Sequence, residues 1–132
     1  MYKRQGPEPP VGISVPQAMY DDFVKISEPI QKIRPDYPFE VKVREPRKRP
    51  TRMGGTDASV FAIEGVPTLG FTTEDFKGYD FDYGEIWHTE RDLYTKNIPE
   101  YQEHTATVTA IIALGVANLD KQLSREGLYT EE

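Results

Sequence analysis

A chain of 132 residues has room for one domain, and with 37% hydrophobic against 29% charged residues its core is modest. The absence of cysteine excludes disulfides and thiolate zinc sites, so any metal must be held by His, Asp or Glu. A net charge of -6 spread along the chain argues against general nucleic-acid binding, and no run of about eighteen apolar residues is present to span a membrane.

Met1 to Gln5 is basic but no apolar stretch follows it, so it is not a signal peptide. It leads directly into Gly6-Pro7-Glu8-Pro9-Pro10 and reads as a run-on start. Gly6 to Gly12 is expected to be extended or looped, because proline fixes its own torsion and disfavours helix at the residue before it. Residues 1–12 are therefore set apart from a domain over 13–132.

From Ser14 the pattern becomes helical: Met19, Phe23, Ile26, Ile30 and Ile33 recur at helical steps, Ser14 and Gln17 have capping-box spacing, and Pro16 sits in the first turn. Pro29 removes a backbone donor, which predicts a kink or break near Ser27 and Glu28, with Ser27 recapping a second piece. Phe39, Val41 and Val43 then alternate with Glu40, Lys42 and Arg44, a strand at or near a sheet edge. Arg44, Arg47, Lys48, Arg49 and Arg52 form a basic cluster broken by Pro46 and Pro50. A solvated loop is the plain reading, and an electrostatic rim for a substrate carboxylate is the functional one.

Gly54 and Gly55 allow close approach or a positive φ before Thr56, whose hydroxyl is placed to cap a short helix from Asp57 to about Ile63. A carboxylate at Asp57 is favoured there by the helix dipole alone. Gly65 ends that helix, and Val66 to Phe71 reads as a buried strand. Phe76, Tyr79, Phe81 and Tyr83 punctuate a polar loop over 72–85, where aromatics either line a pocket mouth or anchor the loop to the core. Pro99 opens a long helix whose apolar face takes Tyr101, Val108, Ile112, Gly115, Leu119 and Leu123, with Ile111 at its margin. His104 sits at the edge of that face as a partly buried residue, and the tail after Gly127 frays.

The remaining histidine, His88, stands in Trp87-His88-Thr89-Glu90-Arg91-Asp92. A lone histidine in such a run is more often a hydrogen-bonded structural residue than a ligand. As a ligand, a neutral imidazole binds zinc at about 2.0 to 2.1 Å, and the Thr89 hydroxyl and the Asp92 carboxylate are at hand to orient its ring.

Three stretches taken in order add weight to the ligand reading. Gly54-Gly55-Thr56-Asp57-Ala58-Ser59-Val60-Phe61, then Glu64-Gly65-Val66-Pro67-Thr68-Leu69-Gly70-Phe71, then Trp87-His88-Thr89-Glu90-Arg91-Asp92, followed by one closing helix, resemble the C-terminal half of the di-zinc exopeptidases. This is family twenty-eight of the metallopeptidases, with its aminopeptidases, carboxypeptidase Q and glutamate carboxypeptidase. The resemblance covers about residues 54 to 125.

It implies an α/β fold, a sheet carrying the Ser14 helix and the C-terminal helix, truncated on its N-terminal side. It makes His88 the last zinc ligand, places Asp57 and Thr56 in the wall of the substrate pocket, and puts Trp87, Thr89, Asp92 and Tyr83 around the metal. Ala58 stands where the family usually has His, Trp87 where an aromatic hydroxyl is frequent, and Leu93 where Thr is common. The parent would use two zinc ions, a bridging Asp and water, and a Glu as general base to cleave a peptide substrate. No His-x-Asp pair is found here and the one Glu-Glu, Glu131-Glu132, stands after the closing helix rather than before the Gly54 stretch, so this chain alone is expected to be inactive. Secretion or a periplasmic location, and self-association through sheet edges laid bare by truncation, are further implications.

Two other classes are weighed. One is a non-catalytic α/β interaction or regulatory module in which His88 is structural and the aromatic loop binds a partner. The other is the tail of a serine hydrolase using Asp57 and His88, which requires a Gly-x-Ser-x-Gly that the chain lacks.

Overall fold

The computed structural model describes residues 8–80 and 83–130. The run-on start over 1–7 and Phe81 lie outside the described residues. The fold is mixed α/β: β1 (Pro10–Val15), α1 (Tyr20–Ile33), β2 (Glu40–Val43), α2 (Ala58–Ile63), β3 (Phe71–Thr73), α3 (Tyr83–Ile86) and α4 (Pro99–Ala117), with short 3-10 turns at Gln17–Met19 and Tyr94–Lys96.

The three strands are ordered β2-β1-β3. β1 pairs with β2 in parallel, Gly12 opposite Glu40 and Val15 opposite Val43, and α1 is the crossover that parallel pairing requires. β3 lies antiparallel on the other side, with Ile13 opposite Phe71. In the central strand Ile13 and Val15 point into the core, while Gly12 is buried for a different reason. A Cβ on Gly12 would stand 2.6 Å from the Glu40 carbonyl oxygen, so only glycine lets β2 approach this closely.

The core gathers Ile13, Val15, Met19, Phe23, Ile30, Val108, Ile112 and Leu128 between the sheet and the α1/α4 pair. Those two helices meet where α4 carries Gly115, at which an added methyl would overlap the Ile26 side chain.

Several expectations are corrected. Residues 10–15 are the central strand, so 10–12 belong to the domain and the helix does not start at Ser14. The short Val-x-Ile-x-Val alternation runs straight into the helical pattern, and Pro16 separates the two. α1 starts at Tyr20 after Met19, with no side-chain cap, and runs unbroken past Pro29. The Ser27 hydroxyl does not recap it but donates to the Val24 carbonyl at 3.0 Å.

Ile33 closes the predicted apolar face yet is 57% exposed. β2 does form at a sheet edge, as its alternation predicts. Val66 to Gly70 is not a strand. Pro67 has no donor for a ladder, the Val66 N–H is taken by the Phe61 carbonyl at 3.0 Å, and the Thr68 carbonyl accepts from Arg47.

α4 stops at Ala117, so Leu119 and Leu123 lie beyond it. The tail is not frayed as far as Thr130: Leu128 is buried, and Arg47 pairs across to Leu128 and Thr130. Among the described residues no helix is long and apolar enough to cross a membrane.

Candidate functional site

His88 follows the single turn of α3, whose Ile86 side chain anchors the segment in the interior. The turn is fixed by its own backbone. Trp87 N–H donates to the Tyr83 carbonyl at 2.9 Å, Thr89 N–H to Ile86 at 3.1 Å, and Asp92 N–H to Thr89 at 3.3 Å.

The Thr89 hydroxyl donates to the Glu85 carbonyl at 2.8 Å and accepts from Arg91 N–H at 3.2 Å. It therefore holds the turn rather than orienting the imidazole, and the Asp92 carboxylate makes no recorded bond to the ring among the described residues. What meets the ring is Trp87, edge to face, with centroids 4.4 Å apart. Tyr83 stands half-buried behind Trp87, its ring 6.5 Å away. Closing this turn puts His88 at φ 58, in the left-handed region, with its side chain exposed.

Glu85, three residues earlier, is bridged by Lys96 at 3.4 Å and Arg91 at 3.8 Å. It lines a cavity of about 580 Å³ shared with Tyr79, Lys96, Ile98 and Glu100. The far wall of that cavity belongs to a polar knot absent from the sequence reading. Glu100 accepts from Tyr37 at 2.9 Å, from Lys77 at 2.7 Å and from the Tyr79 hydroxyl. Lys77, then Tyr79 and Tyr37, hold the Glu100 carboxyl down to about 2.

Tyr101 donates to Asp75 at 2.5 Å, and burial followed by that bond pushes its hydroxyl up to about 12. Phe76 and Tyr79 pack on Tyr37 and Tyr101, so these loop aromatics anchor the loop to α4.

His104 is fully buried, not partly so as its position at the edge of the apolar face suggests. Its ring stacks on Tyr37 with centroids 4.0 Å apart, and Nε2 lies 3.1 Å from the Pro10 carbonyl. A carbonyl only accepts, so Nε2 carries the proton, and Nδ1 has no partner among the described residues. Burial lowers its pKa, which keeps the ring neutral.

At the other candidate segment, Asp57 is the N-cap of α2 without a side-chain cap bond. The Thr56 carbonyl, rather than its hydroxyl, receives the recorded bonds, from Ser59 N–H at 3.0 Å and Ser59 Oγ at 2.7 Å. Neither Gly54 nor Gly55 has a positive φ, and a Cβ on Gly55 would meet nothing within 4 Å. Thr56, Ala58 and Ser59 line a cavity of about 440 Å³ together with Arg47, Lys48 and Thr68. The five-residue basic cluster was the available signal for this cavity, which a solvated-loop reading passes over.

Catalytic zinc sites take about three protein ligands. Among the described residues no group of three or more His, Asp or Glu is placed to hold a metal ion. No protein-family model, curated protein or solved structure matches this chain.

Proposed function

We propose that this chain is the C-terminal part of the catalytic domain of a zinc-dependent exopeptidase, and that His88 is the metal ligand it contributes. The observation that carries the reading is the backbone at His88. A non-glycine residue is held at φ 58 by a turn locked through Thr89, and the ring is displayed outward beside Trp87. Backbone held in a sparsely populated region collects at ligand-binding positions, because the surrounding bonds must offset its cost of about 1 to 3 kcal/mol.

In this reading the remaining ligands and the general base come from residues outside this chain, and the isolated chain is not a hydrolase. Thr89 positions His88 by closing the turn, and Trp87 limits the tilt of its ring. Asp57 and Thr56 begin the segment that walls the substrate pocket.

Isothermal titration with zinc tests the metal half. Weak binding, at least about tenfold weaker again in His88→Ala, is expected, whereas submicromolar affinity indifferent to that substitution contradicts it. The catalytic half is tested by joining the chain to the preceding reading frame. A His-x-Asp and a Glu-Glu should be found there, and zinc-dependent release of terminal residues from peptides should be lost in His88→Ala.

A further inference from the structure

We propose that the groove between α1 and α4 is a self-association surface, and that what fills it is the same groove of a second copy of this chain, related to the first by a two-fold axis.

The two helices run antiparallel. Lys121 pairs with Asp22 at 3.1 Å at one end of their contact, and Arg34 pairs with Glu103 at 2.6 Å at the other. Around the close approach of Gly115 to Ile26 they leave a groove of about 840 Å³, lined by α1, α4 and the residues that follow α4. Ile26, Ile111 and Leu119 are half-buried in it, and Leu114 stands there at 65% exposure. From His104 to Leu119 the chain has no Asp, Glu, Lys or Arg, its longest uncharged run.

An exposed leucine beside an apolar groove gives one molecule both a knob and a hole. In a two-fold contact the same patch serves both sides, so knob and hole must be carried together. Each Leu114 then leaves water by entering the groove of the opposite copy.

The charges on the rim single out a second copy as the occupant. The chain carries a net -6, so two copies repel unless they meet on a face without net charge. The ionised residues lining the groove are Asp22, Lys25, Asp120 and Lys121, which balance. Asp22 and Lys121 are spent on each other. Lys25 on the α1 bank and Asp120 on the α4 bank are exposed and make no ion pair among the described residues.

Turned about the two-fold axis, Lys25 of one copy faces Asp120 of the other, and the reciprocal pair forms as well. A partner whose charges were all of one sign would set either Lys25 or Asp120 against its like. The patch is small beside a standard protein interface, so the dimer is a weak one that forms with concentration.

Sedimentation equilibrium of the full chain tests this between about 10 µM and about 1 mM. The mass is expected to rise from 15.1 kDa toward twice that value. Leu114→Glu sets two carboxylates against each other across the axis and should weaken dimerisation at least about tenfold. Its thermal melting at low concentration should not change, because the side chain is already exposed. Lys25→Asp and Asp120→Lys should each weaken dimerisation by a similar factor. Mixed in equal amounts, the two charge variants present opposite charges at both pairs again and should associate as tightly as the unsubstituted chain.

A monomer at every concentration, association indifferent to Leu114→Glu, or a mixture of the charge variants no tighter than either alone overturns the proposal. The mixture decides even where Leu114→Glu lowers the melting temperature, because Lys25 and Asp120 are exposed and hold no ion pair within the fold.

Discussion

The two histidines of this chain sit in opposite surroundings. His104 is wholly inside, stacked on Tyr37 and bonded to the Pro10 carbonyl of the central strand, whereas His88 is outside on a left-handed turn. The contrast extends to the regions around them. The part built from β1, α1, β2 and α4 holds the core, with Val15, Met19, Phe23, Ile30 and Val108 at 0% exposure, while Ile33 at 57% and Leu114 at 65% stay on its outer side. The part over 53–94 keeps Met53 71%, Phe61 58%, Trp87 56% and Tyr94 90% exposed. The fully buried side chains thus gather in the first part, and the second holds most of the exposed large apolar groups.

The largest effect that separates the two regions is truncation of a buried aromatic. Phe23→Ala should cost about 3 to 5 kcal/mol in urea unfolding, whereas Phe61→Ala should stay within about 0.5 kcal/mol. Similar costs at both positions would erase the distinction. Next comes the close approach of the sheet. Gly12→Ala drives a methyl against the Glu40 carbonyl, a rigid backbone atom, and should cost about 1 to 3 kcal/mol. Gly55→Ala meets nothing and should leave stability unchanged or slightly raised.

Two pH effects sharpen the picture of the scaffold. His104 has a folded pKa below its ordinary 6.5, so the unfolded chain takes up a proton first as pH falls. Its stabilising contribution is complete above 6.5 and is lost below it, with a slope of at most about 1.4 kcal/mol per pH unit. His104→Phe keeps the stacking on Tyr37 and should flatten that limb.

Glu100, held down to about 2 from an ordinary 4.5, contributes stability above 4.5 that is lost as pH falls from there toward 2. Glu100→Gln should reduce the loss in that window, and an unaltered acid limb would contradict the knot around it. Both are read from chemical unfolding at a series of pH values.

Period and punctuation were enough to read α1 from Phe23 to Ile30, β2 as an edge strand, α2 with its glycine stop at Gly65, and α4 from Pro99. They failed where two patterns overlap or where tertiary partners decide. The central strand was hidden because its Val11-Ile13-Val15 alternation is three apolar residues long and abuts a helix sharing Pro16. Val66 to Gly70 looked like a strand from its apolar content, but its donors and acceptors go to the end of α2 and to Arg47.

Of the candidate site, only a loop at His88 was legible; the left-handed turn and the bond from the Thr89 hydroxyl to the Glu85 carbonyl were not. The cavity beside Arg47 was signalled only by the basic cluster, because Arg47, Thr56 and Thr68 come from separate stretches and meet only in the fold.

The contrast between the two imidazoles also supplies the sharpest experiment. In ring-nitrogen NMR of the labelled chain, added zinc is expected to shift the Nδ1 or Nε2 signal of His88 while the His104 signals stay where they are. Zinc that moves His104, or that leaves both rings unmoved at millimolar metal, would contradict the assignment of His88 as the ligand this chain presents.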